Sequence, residues 1–193
     1  MSTLTTPVVW PQSPSTPLLT AAEFAQKHGA DYVELVKGHV KELPMPFPKH
    51  GRTCVLMTRL VDEHAEKCDL GRVMSNDSFV QTGSNPDTVR GADLCFYTYA
   101  RLPKGAIPDG LLPIAPDLVV EMRSPSQVWT EVFAKVVEYL HAGVRVVIVL
   151  DAKSASASVY RPDELQQIFH TGDSLVVRDV LPGFSVPVQR LFE

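Results

Sequence analysis

Apolar positions recur along the chain with two different spacings, and these spacings separate predicted helices from predicted strands. The segment AAEFAQKH has Thr20 before it and Gly29 after it, which predicts a short capped helix. The segment YVELVKGHVKEL has apolar residues on both sides of Lys37-Gly38, which predicts a β-hairpin. A longer amphipathic helix is predicted over about residues 49 to 68. Its predicted apolar face comprises Val55, Leu56, Leu60, Val61 and His64.

The rest of the chain is dominated by strand patterns. The predicted elements are strands at 72–81 and 88–97, a loop over 99–115, a strand at 117–122, a helix near 127–141 ended by Gly143, and the apolar strand VRVVIVLD. Short strands are predicted in SASVYR, LQQIFH and SLVVRD, before the tail LPGFSVPVQRLF. This order predicts an α/β fold with a mixed central β-sheet flanked by helices and a C-terminal β-meander.

Composition places the chain among ordinary globular proteins. Its 193 residues suit one domain over 18–193, preceded by a flexible arm at 1–17 that is rich in Pro, Ser and Thr. No apolar run reaches the length of a membrane span, and the first residues lack the pattern of a signal peptide. The three cysteines form no CxxC pair, which favours a reduced cytoplasm and argues against structural zinc. We expect Cys54 and Cys68 to be core residues of the longer helix. The net charge of −4 argues against strong nonspecific binding to nucleic acid but leaves room for a local basic groove.

The segment PDLVVEMRSPS is unusual because charged residues interrupt an apolar strand pattern. Asp117, Glu121 and Arg123 all fall within or beside the predicted strand. An unpaired buried charge costs several kcal/mol, so such residues need either ion-pair partners or a metal ion. The segment therefore predicts either strand-end salt bridges or a metal site.

Several segments, taken in order, resemble one family. They are YVELVKGHV, RGADLCFY, PDLVVEMRSPS, KVVEYLHAGV, VIVLD, SVYRP and LPGFSVPV. Together they resemble the Uma-type restriction endonuclease family, a branch of the PD-(D/E)XK nuclease superfamily, over about residues 20 to 193. The resemblance implies a restriction-endonuclease-like core and a site for a divalent ion, Mg²⁺ or Mn²⁺, that serves phosphodiester cleavage.

The spacing of the acids decides which of them can share an ion. Asp117 and Glu121 point to the same face of a strand, but their Cα atoms are roughly 13 Å apart. Two carboxylates on one Mg²⁺ must bring their oxygens within roughly 4 Å, so a second acid is needed from a neighbouring strand. Asp93, in Arg90-Gly91-Ala92-Asp93, is the best candidate, and we expect it at the start of a strand. The family usually has Pro-Asp there, and the alternative role of Asp93 is to bind backbone amides or Arg90.

The position two residues after Glu121, where the superfamily motif has lysine, is occupied by Arg123. Arginine can hold a phosphate, but it stays protonated and is a poor base. The resembling family has its lysine on the following helix, where Lys135 matches. On a helical wheel Lys135 borders an apolar stripe, so its side chain can extend toward Glu121. Alternatively, the lysine only covers Tyr139.

Other residues are weaker candidates. Glu34 matches a family glutamate and is a third candidate ligand, which could complete the coordination or contact a second ion. An outward-facing position in the hairpin is the alternative. Asp117 is assigned a supporting or strand-start role. Ser124-Pro125-Ser126 is expected to cap the next helix. His50 opens a predicted helix and could approach the site, although a solvent-facing position is favoured.

Taken with the resemblance, which implies phosphodiester cleavage, these residues predict a metal-dependent endonuclease that acts on DNA. Asp93, Glu121 and Glu34 would bind Mg²⁺ or Mn²⁺, while Lys135 orients the nucleophile. One alternative is a catalytically silent nuclease-fold module that binds a protein or nucleic acid. The other is a scaffold that forms a homodimer through exposed apolar residues such as Trp129 and Phe184.

Overall fold

The computed structural model describes residues 17–29, 31–124 and 127–193. Its helices are α1 (Ala21–His28), α2 (Pro48–Lys67) and α3 (Trp129–His141), with a 3₁₀ turn η1 (Val188–Leu191). Its strands are β1 (Val33–Val36), β2 (His39–Glu42), β3 (Gly71–Gly83), β4 (Thr88–Thr98), β5 (Leu118–Arg123), β6 (Val146–Asp151), β7 (Ser156–Tyr160), β8 (Gln167–His170), β9 (Ser174–Val176) and β10 (Ser185–Pro187). The predicted N-terminal arm lies outside these residues except for Pro17. No helix in the described ranges is both long and apolar enough to cross a membrane.

Local sequence features account for helix α1 and for the hairpin of β1 and β2. Thr20 caps α1, since its side chain accepts a hydrogen bond from the Glu23 amide while the Glu23 carboxylate binds the Thr20 amide. The turn between β1 and β2 has positive φ at Lys37 and Gly38, as a tight hairpin requires. Both the capped helix and the hairpin predicted from the sequence are confirmed.

Eight strands form one mixed sheet in which β1 and β5 both pair with β4. The path through the sheet is β2-β1-β4-β5-β6-β7-β8, and β3 also pairs with β4. Among the described strands only β5 and β6 pair in parallel, because α3 carries the chain back across the sheet between them. The predicted mixed α/β fold is therefore confirmed.

The third strand of the predicted C-terminal meander does not continue the sheet. β6, β7 and β8 form a meander, but β9 pairs with β10 in a separate two-stranded sheet. The tail then packs against the face of the main sheet that α2 covers, where Phe184 is only 4% exposed and makes an edge contact with His64. The expectation that Phe184 is exposed is thus wrong, because the tail completes the core.

Helix α2 is rotated relative to the predicted apolar face. Met57 and Val61 are fully buried against the sheet, while Val55 is 60% exposed because it lies two residues, or about 200°, away from Met57. Cys68 is exposed at the end of the helix, and Cys54 is partly buried. The expectation of a core position is therefore wrong for Cys68, which follows the last helical turn.

Gly71 provides a test of the packing between β3 and β4. A Cβ atom at Gly71 would overlap the Tyr97 carbonyl oxygen and lie 2.7 Å from Cε2 of Phe96. We expect Gly71→Ala to lower the free energy of unfolding by about 1–3 kcal/mol, as overpacking does. Urea unfolding followed by circular dichroism measures this.

Gly51→Ala is the matched control, because a Cβ there meets nothing within 4 Å and the residue lies in α2. It should raise stability by up to about 1 kcal/mol through helix propensity. An equal response of the two variants would contradict the described contact between Gly71 and β4.

Candidate active site

Two strands share one edge of β4, and the gap between them defines the site. Val89 pairs with Leu35 of β1 and with Gln81 of β3. Leu94 pairs with Val120 of β5 and, on the other side, with Ser75 of β3. Since β3 occupies one edge at both points, β1 and β5 must lie end to end along the other edge. In the gap between them, around residues 90–93, side chains take the place of a neighbouring strand as hydrogen-bond partners of the backbone.

Carboxylates satisfy the backbone amides in this gap. The Gly91 amide donates to Oε1 of Glu34 at 3.3 Å, and the Met122 amide donates to Oδ2 of Asp93 at 2.6 Å. Buried amides need such partners, so the interrupted pairing holds acidic side chains at one place. Acids that are distant in the sequence are brought together by the local topology of the sheet.

The sequence predicted Asp93 at the start of a strand, but the residue lies inside β4. Its Oδ1 atom is 2.9 Å from Nε2 of His50, and the residue is 7% exposed. It does not pair with Arg90 as the alternative role proposed, but it does accept the Met122 amide. Asp93 therefore makes one of the two contacts that this alternative proposed, the hydrogen bond from a backbone amide.

Glu121 lies on β5 beside this gap and is bound by two side chains of α3. Tyr139 donates its hydroxyl to Oε1 at 2.7 Å, and Nζ of Lys135 is 3.2 Å from Oε2. Burial raises the pKa of Glu121 above its usual value; Lys135 opposes this effect and Asp93 adds to it. The carboxylate is thus held in a site where a further positive charge would stabilise it.

Lys135 connects Glu121 to Glu34. Its Nζ atom lies 2.8 Å from Oε1 of Glu34, which is itself fully buried. Burial alone would lower the pKa of Lys135, but Glu121 and Glu34 outweigh it and the net shift is upward. Lys135 is therefore a cation held between two carboxylates, and it reaches the sheet as the helical wheel predicted.

Glu34 points into the protein, so the outward-facing alternative is wrong. Arg90 binds its Oε2 atom at 2.8 Å and also binds Glu138 of α3 at 2.7 Å. Burial acts to raise the pKa of Glu34, but Lys135 and Arg90 outweigh burial and leave the pKa lowered. Glu34 is consequently an ionised acid that holds both cations in place.

Three further residues of this region were missed or misplaced by sequence reasoning. His50 was expected in solvent, but its side chain is 17% exposed and bound to Asp93. Cys54 lies one turn later on α2, with Sγ 3.8 Å from Oδ1 of Asp93. Asp77 has positive φ in the bulge of β3, and burial, with a contribution from Asp93, raises its pKa. The spacing of four residues between His50 and Cys54 was a usable signal, whereas the bulge at Asp77 had none.

The remaining candidates lie farther from this gap. Arg123 pairs with Asp151 at 3.1 Å, directly across the parallel register of β5 and β6, and stacks on the Trp129 ring at 4.8 Å. Trp129 is accordingly only partly exposed. Asp117 precedes β5, where it accepts hydrogen bonds from the Thr98 amide and hydroxyl. Asp117 therefore stands at the strand start, at the opposite end of β5 from Glu121.

The predicted cap of α3 is not formed by Ser124. Helix α3 has Val128 as its N-cap and no capping hydrogen bond from that side chain, while the Ser124 amide donates to Oε1 of Gln127. Pro125 and Ser126, the other members of the predicted cap, lie outside the described residues. Helix α3 thus begins at Trp129, after Val128, and not directly after Ser124.

A small cleft of about 50 Å³ opens onto the site. Its lining includes Asp93, Glu121, Lys135, His50 and Asp77. The donors of Asp93 and Glu121 are carboxylate oxygens, the ligand type that Mg²⁺ and Mn²⁺ prefer. The residues present therefore fit a hard divalent cation.

Comparison with known proteins agrees with this architecture. The mixed sheet and its flanking helices define a restriction-endonuclease-like α/β protein. The family profile named Uma2, described as "Putative restriction endonuclease", matches residues 21–189. The chain belongs to this Uma2 family.

One solved structure also has a similar fold. It is described as "a putative nuclease belonging to DUF820" and comes from Anabaena variabilis. The TM-score is 0.79 at 22% sequence identity, over 90% of this chain and 97% of that one. No protein with curated annotation matches the sequence.

The buried pairing of Arg90 with Glu34 can be tested by removing the cation. We expect Arg90→Met to lower the free energy of unfolding by about 3–5 kcal/mol, because buried Glu34 loses one of its two cations. Guanidinium unfolding measures the change.

Arg59→Met is the control, since Arg59 and Glu63 form an exposed pair on α2. Its effect should stay below about 1 kcal/mol. Comparable losses in both variants would mean that the Arg90 pair has no special structural importance.

Proposed function

We propose that this protein is a Mg²⁺- or Mn²⁺-dependent endonuclease that hydrolyses phosphodiester bonds in DNA. The observation that carries the proposal is the meeting of Asp93 and Glu121, on adjacent strands, with the ammonium group of Lys135 in one cleft. Family membership supports nuclease activity in general. Cytoplasmic location and a homodimer remain predictions from the sequence.

The acidic side chains around the cleft outnumber the basic ones, which supports the proposal that a metal ion binds there. Three buried acids, Glu34, Asp93 and Glu121, share this cluster with the cations Arg90 and Lys135. His50, which pairs with Asp93, adds a third positive charge when it is protonated. Arg90 is also shared with Glu138, which lowers the positive charge available to the cleft. A divalent ion would offset the excess and would stabilise the clustered carboxylates.

We assign Asp93 and Glu121 as the main ligands. They come from neighbouring antiparallel strands, which lie about 4.8 Å apart, so their carboxylates can approach one ion. Glu34 is a third candidate, but its two oxygens bind Lys135 and Arg90. It would contact the ion only after releasing Lys135, and we assign it first the role of holding that lysine.

The protein groups then divide the chemistry. A bound divalent ion would activate water and offset the charge that develops on the phosphate. Lys135 would donate hydrogen bonds to the attacking water or to a phosphate oxygen, from the position that Glu34 and Glu121 fix. Arg123 would reach a phosphate only by leaving Asp151, and Asp117 would keep β5 in register.

Calorimetric titration with Mn²⁺ separates ligands from structural acids. We expect the wild type to bind Mn²⁺, and we expect Asp93→Asn and Glu121→Gln each to weaken binding at least about tenfold through loss of a charged ligand. Asp69→Asn is the control, because Asp69 is an exposed acid paired with Lys104. If the variants of the site bind like wild type, the acids are structural and the silent-module alternative is favoured.

Lys135→Met tests the role of the lysine separately from that of the ion. We expect nicking of supercoiled plasmid DNA in Mn²⁺ to fall by about 10²–10³-fold, because a donor to the transition state is lost. Mn²⁺ binding should persist, since Lys135 is a cation and not a ligand. Loss of Mn²⁺ binding in the folded variant, or full cleavage activity, would contradict this assignment.

A further inference from the structure

A second set of possible metal ligands lies near Asp93. These ligands are on α2, whereas the side chains that bind Glu121 are on α3. His50 and Cys54 are four residues apart on α2, so their side chains lie on the same face of that helix. A ring nitrogen of His50, Sγ of Cys54 and an oxygen of Asp93 all lie within 4.8 Å of one another. Histidine, cysteine and aspartate together are typical ligands of Zn²⁺, and a thiol is a poor ligand for Mg²⁺.

The separations in this cluster are close to those of a tetrahedral zinc site. With Zn²⁺ bonds of about 2.0–2.3 Å, neighbouring donors lie about 3.3–3.6 Å apart. Here the His50–Asp93 and Cys54–Asp93 separations are 2.9 Å and 3.8 Å. The third separation, between His50 and Cys54, is within 4.8 Å, so side-chain shifts of about 1 Å would place all three donors around one ion.

The cluster is accessible from a larger cleft between α2 and β3. This cleft has a volume of about 640 Å³ and is lined by His50, Cys54, Asp93 and Asp77. An ion could enter by this route, and the fourth coordination position would face the cleft, where water or the Asp77 carboxylate could fill it. The small cleft beside Glu121 and Lys135 adjoins this opening, and His50, Asp77 and Asp93 line both.

We propose that His50, Cys54 and Asp93 form a binding site for a thiophilic divalent ion such as Zn²⁺. Binding transfers the Cys54 thiol proton to solvent and moves the proton on Nε2 of His50 to Nδ1, or to solvent if both ring nitrogens are protonated. The contacts of both side chains with Asp93 are then replaced by bonds from nitrogen and sulfur to the metal. The absence of CxxC motifs is consistent with the site, because its ligands come from one helical turn and a strand. Because Asp93 serves both sites, Zn²⁺ should also compete with Mg²⁺ or Mn²⁺, and this part rests on the proposed function.

Cobalt(II) is the spectroscopic probe of the site. Co²⁺ titrated into the reduced full-length protein should give a near-ultraviolet thiolate-to-cobalt charge-transfer band, which added Zn²⁺ removes. Cys54→Ser should abolish the band, and His50→Gln should weaken Co²⁺ affinity at least about tenfold. Circular dichroism confirms that each variant is folded.

Two variants serve as controls. Cys68→Ser changes the exposed cysteine that follows the same helix, so it should keep the full band. Glu121→Gln should also keep the band while it loses Mn²⁺ affinity, which separates this site from the nuclease site. A wild type without the band, or a band that persists in Cys54→Ser, would overturn the proposal.

Competition is measured by repeating the Mn²⁺ titration with saturating Zn²⁺. Mn²⁺ affinity should fall at least about tenfold in the wild type and should change less in Cys54→Ser. A cobalt band without any Mn²⁺ binding would leave the new site in place and would contradict the proposed function alone. Unchanged Mn²⁺ affinity in the wild type would overturn the sharing of Asp93.

Discussion

The placement of β1 and β5 end to end on one edge of β4 is the constraint on which the site depends. It leaves a gap in the backbone pairing, and the amides in this gap are bound by the side chains of Glu34 and Asp93. Buried carboxylates require nearby positive charge. Arg90 from β4 and Lys135 from α3 supply it, and these ion pairs fix how α3 lies on the sheet.

The same arrangement explains why Asp93 is the central residue of the site. It is the acid of this cluster that neither Arg90 nor Lys135 binds through a salt bridge among the described contacts. Its partners are the Met122 amide, His50 and the Cys54 thiol. Glu121, by contrast, is already bound by Lys135 and Tyr139. An added cation therefore has the most to contribute beside Asp93, either toward Glu121 or toward Cys54.

Much of this arrangement could be predicted from the sequence, because it depends on regular spacing. Strand geometry required a partner for Glu121 on a neighbouring strand, and helix geometry allowed Lys135 to reach it. The predicted β5-α3-β6 order followed from period and length, and the mixed sheet is confirmed. These inferences use only local periodicity and the rise of a strand.

Long-range register was beyond such reasoning. Arg123 lies opposite Asp151 only because β5 and β6 are parallel and in that register, and no local pattern specifies such a pairing. The rotation of α2, which exposes Val55 and turns His50 inward, depends on contacts with the sheet. Phe184 is buried for a similar reason, since the tail packs on elements that are distant in sequence.

The most direct test of the central claim is a crystal structure of the protein with Mn²⁺, with anomalous scattering data collected at the manganese edge. The account predicts an anomalous peak within about 2.5 Å of carboxylate oxygens of both Asp93 and Glu121. Lys135 should remain bound to Glu34. A peak bound elsewhere, or none at a saturating Mn²⁺ concentration, would contradict the claim that these strands hold a catalytic ion.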